Sequence, residues 1–366
     1  MRKLFLKPLL PFAVLGSALM VSCSDDDDNG GTPTLDIPTS YVSPNFDSNV
    51  TAERTVIGEL SDMTAAANAA ESNAQTDMTI DPIEYPGTLS SVTLPSYRSL
   101  VTDWLAELVA AANSETGFIN PGDGMPAEGE EGGLLGTRLL DENGLELEQN
   151  VQKGSFGAAL YNHALTVING SPTADDIDKL VEIHGTDVDF DPSNTTAAAT
   201  YSRRRSNQTT ETGFFYDIRT ALITAKAAIE GGSAFDDIRD QALADYLLAW
   251  EKSNFATVIY YANATKVQLQ AAGDDEAALG NALHAYAEGV AFAHGFKGVS
   301  NKMISDTEID NVLTLLLAPE GEVPESYKFL NDATLLGNLD QVIDDLQAIY
   351  EFTDAEVTTF FVNDPT

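Results

Sequence analysis

The sequence predicts an all-α fold built from antiparallel helical bundles. Apolar residues recur mostly with a helical period, alternating strand patterns are scarce, and the long loops rich in Gly, Pro and Asp are confined to 115–136 and 186–210. After removal of a leader, about 340 residues remain, enough for one large or two small domains. Either one continuous bundle or two pseudo-equivalent bundles fits.

The first segment is a targeting signal rather than part of the fold. "MRKLFLKPLLPFAVLGSALMVSC" opens with Arg2 and Lys3, continues through an apolar stretch and reaches the small residues Ser17, Ala18 and Ser22 just before Cys23. The stretch is shorter than the roughly 20 residues of a membrane span. Cys23 is the only cysteine, so an intrachain disulfide is excluded, and "MVSC" resembles the lipobox of bacterial lipoproteins. The expectation is that residues 1–22 are removed and that acylated Cys23 holds the protein in a lipid bilayer. An ordinary cleaved signal with a stray thiol is the alternative. "SDDDDNGGTPT" then begins an acidic tether, 23–39, that cannot pack and should stay solvated. Its acidic run beside the cysteine resembles the export signal of Bacteroidota lipoproteins. That resemblance implies an outer-membrane location facing the cell exterior; a plain spacer on an inward-facing lipoprotein is the alternative.

The formal charge of the chain is −38, and the leader carries three basic residues and no acidic one. The mature protein therefore lies near −41, a field that repels phosphates, so nucleic-acid binding is not expected. The one basic cluster, Arg203 to Arg205, reads as a local ion-pairing loop.

The helical domain spans 40–366. In 100–113, Val101, Trp104, Leu105, Leu108 and Val109 make one stripe, and 243–269 continues helically for several turns. Further helices are read at about 51–72, 155–169, 213–231, 274–297, 306–317 and 336–352. Asp306 marks a start, and Gly231, Gly232 and Gly273 mark stops. Trp104 and Trp250 should both be mostly buried.

Five blocks then carry a resemblance. "YVSPNF" (41–46), "KGSFGAALYNHAL" (153–165), "IRTALITAKAAI" (218–229), "WEKSNFATVIYYAN" (250–263) and "HAYAEGVAFAHGF" (284–296) follow one another as in the lipoprotein family catalogued as domain of unknown function 4856. The resemblance covers roughly 40–350 and implies a bacterial envelope habitat without an established activity. It extends distantly to the imelysins, iron-associated helical lipoproteins, one subgroup of which was once classed as peptidases. Their Gly-x-His-x-x-Glu motif is not reproduced: Ala282 stands two before His284, and Glu288 four after it.

That stretch is the nearest approach to a chemical site. At about 100° per residue, His284 and Glu288 lie some 40° apart and share a face, while His294 is nearly three turns away. Such a pair suits a divalent metal but needs further ligands from another helix, for which His163 is the candidate. A neighbouring carboxylate should favour the charged imidazole, so that binding weakens below about pH 6. Alternatively, Ala285, Ala287, Gly289, Ala291 and Ala293 bring helices close around a hydrogen-bonded His/Glu pair.

Other motifs fail on specific residues. Asp187, Asp189 and Asp191 begin like an EF-hand, but Pro192 and Ala198 replace its glycine and bidentate glutamate, leaving only a looser calcium site. The Gly-rich 122–133 lacks the lysine of a phosphate loop. No zincin or nucleophile-elbow motif is present. The readings left open are a non-enzymatic surface protein that binds iron or a haem-like ligand for uptake, a metal-dependent hydrolase, and a structural or adhesive surface protein.

Overall fold

The computed structural model describes residues 33–76, 78–114, 117–122 and 131–365. Cys23, the leader and most of the acidic tether lie outside the described residues. Leu35–Thr366 forms one compact unit. The all-α expectation holds: the described strands pair only as two short antiparallel hairpins.

From Leu35 the chain runs without regular structure to α1 (Phe46–Asn49). Helix α2 (Thr51–Ala74) follows, burying Val56, Leu60, Met63, Ala67 and Ala70 along one stripe. After α3 (Gly87–Val92), α4 (Pro95–Ala112) starts earlier than expected because Pro95 occupies its first turn, where its missing N–H costs nothing. Strands β1 (Gly133–Leu135) and β2 (Arg138–Leu140) form the first hairpin, β1 inside the segment 115–136 expected as loop and β2 just after it.

The helix expected at 155–169 begins earlier, as α5 (Leu147–Ser155), and passes through a buried π-helical segment, Phe156–Tyr161, into α6 (Asn162–Asn169). Each π turn takes an extra residue and shifts the helical phase. The Ala158 carbonyl accepts the Leu94 N–H at 2.8 Å, tying α4 to this segment. Helix α7 (Ala174–His184) is opened by a Thr173/Asp176 capping box and closed by Gly185 at φ 103°.

The segment 186–210, expected as loop, contains α8 (Ala197–Arg204) and β3 (Ser206–Asn207), which pairs with β4 (Thr212–Gly213). Arg203 pairs with Asp364 at 2.6 Å, while buried Arg205 binds the Phe360 carbonyl and Asn363 and lies 4.5 Å from the Tyr260 ring. The basic cluster thus fastens the C-terminus from a helix end. The carboxylates of Asp187 and Asp191 are engaged in local turns, through Asp189, Asn194 and Ser193.

Helix α9 (Phe214–Gly231) leads to α10 (Asp236–Ala272), the central element, 37 residues long. From Ala249 to Ile259 nearly every α10 side chain is buried, so no single stripe marks it; a helix covered on all sides has none. It packs on α9, on α11 (Glu276–His294) and on α14 (Leu336–Tyr350). Between the last two lie α12 (Asp306–Leu315) and α13 (Lys328–Asn331), and α15 (Asp354–Phe360) closes the chain. The cap of α12 is Ser305 rather than Asp306. Trp250 is fully enclosed, whereas Trp104 is only half-buried, packing edge-on against Tyr97 and His294.

Two buried carboxylates hold the body together. Asp178 receives Tyr41 (2.5 Å), Ser43 (2.6 Å), Asn49 (2.8 Å) and the Lys226 ammonium (2.8 Å), which seats the N-terminal segment. Glu251 receives the backbone N–H groups of Met303 and Ile304 and the Tyr350 hydroxyl, all at 2.8 Å. Among the described residues, no helix is long and apolar enough to cross a membrane.

Candidate functional site

The alanine-rich start of α11 lies against the β1–β2 hairpin and α5. Gly280 permits the hairpin contact: a Cβ there would lie 2.3 Å from the Leu135 carbonyl oxygen. At the far end a Cβ on Gly295 would sit 2.3 Å from the Gly154 carbonyl oxygen, so α5 and α11 touch backbone to backbone. This approach places the α11 pair His284 and Glu288 among side chains from the first turns of α5.

The His284 ring bridges two buried carboxylates. Its Nδ1 lies 2.6 Å from Glu146 Oε2, and its Nε2 lies 3.6 Å from Glu288 Oε2. Glu288 Oε1 in turn accepts the Tyr201 hydroxyl at 3.3 Å and stands 3.5 Å from the Lys153 ammonium. On the other side Arg138 Nη1 approaches Glu146 Oε1 (3.6 Å) and Glu71 Oε1 (3.8 Å), and its Nε donates to Asn281 Oδ1 at 3.1 Å. Glu148 accepts the side-chain amide of Gln149.

Unlike Asp178 and Glu251, this cluster leaves acceptors unused. Glu146 Oε1, Gln149 Oε1 and Asn150 Oδ1 are buried without a hydrogen-bond partner among the described residues. An unpaired buried acceptor costs free energy unless a proton, a cation or a ligand donor meets it.

Burial answers part of that cost by neutralising charge. It pushes the Glu146 carboxyl up to about 8. Glu71 rises to about 7, first through burial and then through its hydrogen bond with Glu146. Burial also raises Glu148. It works against the Lys153 ammonium, but Tyr201, Glu288 and Glu148 outweigh it and keep that group charged. For His284, burial lowers the pKa despite Glu288 beside it. The expectation that a carboxylate would favour the charged ring is thus corrected: loss of hydration wins, and the ring stays neutral to lower pH.

The site opens to solvent through a cleft of about 460 Å³ lined by Arg138, Gln268, Asn281, His284 and the alanines of the α10 and α11 ends. Polar groups converge on its floor, and its size is that of an ordinary small-ligand site.

The third expected ligand, His163, and the other two histidines go elsewhere. His163 follows the π segment and faces α2, its Nε2 3.5 Å from Glu53 Oε1 rather than joining His284. His294 is 2.6 Å from Glu320 and packs between Tyr97 and Trp104. His184 is buried against Trp250, bonded to Ser202 at 3.1 Å, and burial drives its pKa down to about 3. Among the described residues, no three or more His, Cys, Asp or Glu side chains are grouped to hold a metal ion. Glu146, Glu148 and Lys153, which complete the His284 surroundings, were not singled out from sequence; the polar run "ELEQNVQK" on an otherwise buried helix was the available signal. No family model, curated protein or solved structure matches the chain.

Proposed function

We propose that the protein is a lipid-anchored binding protein of the bacterial outer surface, held by acylated Cys23, that captures a cation-bearing nutrient ligand in the cleft over His284. The observation that carries the reading is the bridging imidazole: one nitrogen is oriented by buried Glu146 while the other faces Glu288 beneath an open cleft. Histidines that ligate metals are commonly oriented in this way by a hydrogen bond at the second ring nitrogen. Glu146 Oε1 makes no hydrogen bond and has only the Arg138 guanidinium at 3.6 Å, which agrees with a carboxylate that gains from a further cation.

His284 Nε2 and Glu288 supply two donors, too few to enclose a bare divalent metal. A metal that brings its own donors, as iron does in a chelate or in a haem-like compound, fits that shortage. Arg138, Asn281 and Gln268 line the cleft, and their N–H groups suit the oxygens of such a ligand. The resemblance to the unknown-function lipoproteins and, distantly, to the imelysins points to the same habitat and to iron.

The test is calorimetric and spectroscopic titration of haemin, ferric citrate, ferrous iron, zinc and calcium into the full chain and its His284→Ala and Glu288→Gln variants. Binding of an iron-bearing ligand, lost or weakened at least about tenfold in both variants, is expected. Binding indifferent to both substitutions places the site elsewhere. No binding by any probe returns the stretch to packing.

A further inference from the structure

A second cavity lies away from His284, in a groove of about 690 Å³ between α9 and the first half of α10, closed at one end by the α14–α15 turn. Its floor is apolar. Ala221, Ala242 and Ala249 are too short to fill the space between the helices, and the rings of Phe214 and Phe352, packed edge-on against each other, line it together. Ile238 lies on its edge, 40% exposed.

Its rim is acidic. Asp217, Asp237, Asp245 and Glu356 face it, against one ammonium, Lys252, which sits 5.6 Å from the Phe352 ring. Glu356 is committed to the cap of α15, and Asp245 accepts only the Gln241 amide. Asp217 and Asp237 accept no hydrogen bond from a described residue. The Asp217 carboxyl is raised first by partial burial and further by Asp245, while Lys252 opposes the shift. Carboxylates of like charge thus face one another across an apolar floor, an arrangement that a positive group would relieve.

We propose that this groove binds a small organic cation, an ammonium or guanidinium group carried on an apolar body. The apolar part fills the alanine floor beside the Phe214 and Phe352 rings, which pack edge-on with centroids 6.3 Å apart, and the charged part lies between Asp217 and Asp245. The cavity has the size and the mixed lining of sites for molecules of that class. Aromatic faces add attraction for a cation. The charge of −38 raises the local concentration of cationic solutes.

Three probes of one shape test this on the full chain: 2-naphthylmethylammonium, 2-naphthylmethanol and 2-naphthoate, followed by equilibrium dialysis at low salt. The ammonium should bind about tenfold tighter than the alcohol, and the naphthoate should not bind. Asp217→Asn and Asp245→Asn should each weaken the ammonium about fivefold, and Lys252→Gln should strengthen it. Asp344→Asn, an exposed acid on α14 outside the groove, should change nothing. Equal affinity for ammonium and alcohol overturns the proposal, as does an Asp344→Asn effect as large as that of the groove variants, which would mark diffuse surface attraction. A dimer in sedimentation that Ile238→Asp dissolves assigns the groove to a second copy and also overturns it. Ala242→Leu should fill the floor and abolish binding; if that variant fails to fold, the Asp→Asn pair decides.

Discussion

Glu146→Gln removes one titrating proton from the centre of the His284 cluster while keeping the side chain's shape. In the unfolded chain this carboxyl titrates near its ordinary 4.5, and in the fold burial raises it to about 8. Between those values the native state therefore holds a proton that the unfolded state has released. Because the native state binds more protons there, the contribution is fully present below pH 4.5 and is lost as pH rises through about 8. At about 1.4 kcal/mol per unit the full loss is on the order of 5 kcal/mol, and sharing of the proton with Glu71 brings what is seen by pH 8 to on the order of 3. Glutamine stays neutral throughout. Urea unfolding followed by circular dichroism should give parent and variant stabilities within about 1 kcal/mol of each other at pH 5. At pH 8 the variant should be the more stable by on the order of 3 kcal/mol. A difference that is the same at both pH values would refute the claim that the fold keeps Glu146 protonated.

Gly295→Ala should lower stability by on the order of 2–4 kcal/mol, since its Cβ would meet the Gly154 backbone and force α5 from α11; a melting temperature equal to the parent's would deny that contact. Asp178→Asn weakens the seat of Tyr41, Ser43, Asn49 and Lys226 and should speed proteolysis around residues 35–49, read by mass spectrometry. Although burial opposes it, the Lys226, Ser43, Tyr41 and Asn49 bonds hold the Asp178 carboxyl below its ordinary value, so this stabilisation is present above about pH 4 and fades as pH falls below it. Cys23→Ala should release the protein from membranes, and protease added to intact cells should remove the parent; retention of the variant on membranes would sink the anchor.

Helices with a clear stripe or a strong stop were legible: α4 from Val101, Leu105 and Leu108, α9 from its closing glycines. Helix α7 was missed although Thr173 and Asp176 spell its capping box, because a single short stripe in a loop-like neighbourhood carries little periodic signal. The π segment was not legible at all, since the sequence projects every helix at one angle. That shift, together with the route of α6, separates His163 from His284. The pairing of His284 with Glu288 could be read from spacing within one helix. Glu146 and Lys153 could not, because what brings them there is a contact between α5 and α11 set by Gly154 and Gly295.

The charge balance around His284 shows how the proposed site stands without a ligand and why a positively charged one would suit it. Four carboxyls, Glu71, Glu146, Glu148 and Glu288, surround two permanent cations, Arg138 and Lys153, and a neutral imidazole. Near neutral pH the proton shared between Glu71 and Glu146 removes much of the excess negative charge, and burial can then be tolerated. A cation at His284 Nε2 would reverse the preference, since beside it Glu146 is better ionised and Nδ1 better protonated toward it. Binding and loss of the carboxyl proton are therefore one event. The acidic surface attracts cations over distances of about a Debye length, and in the proposed function the cluster, screened less by its burial, would decide which of them stays.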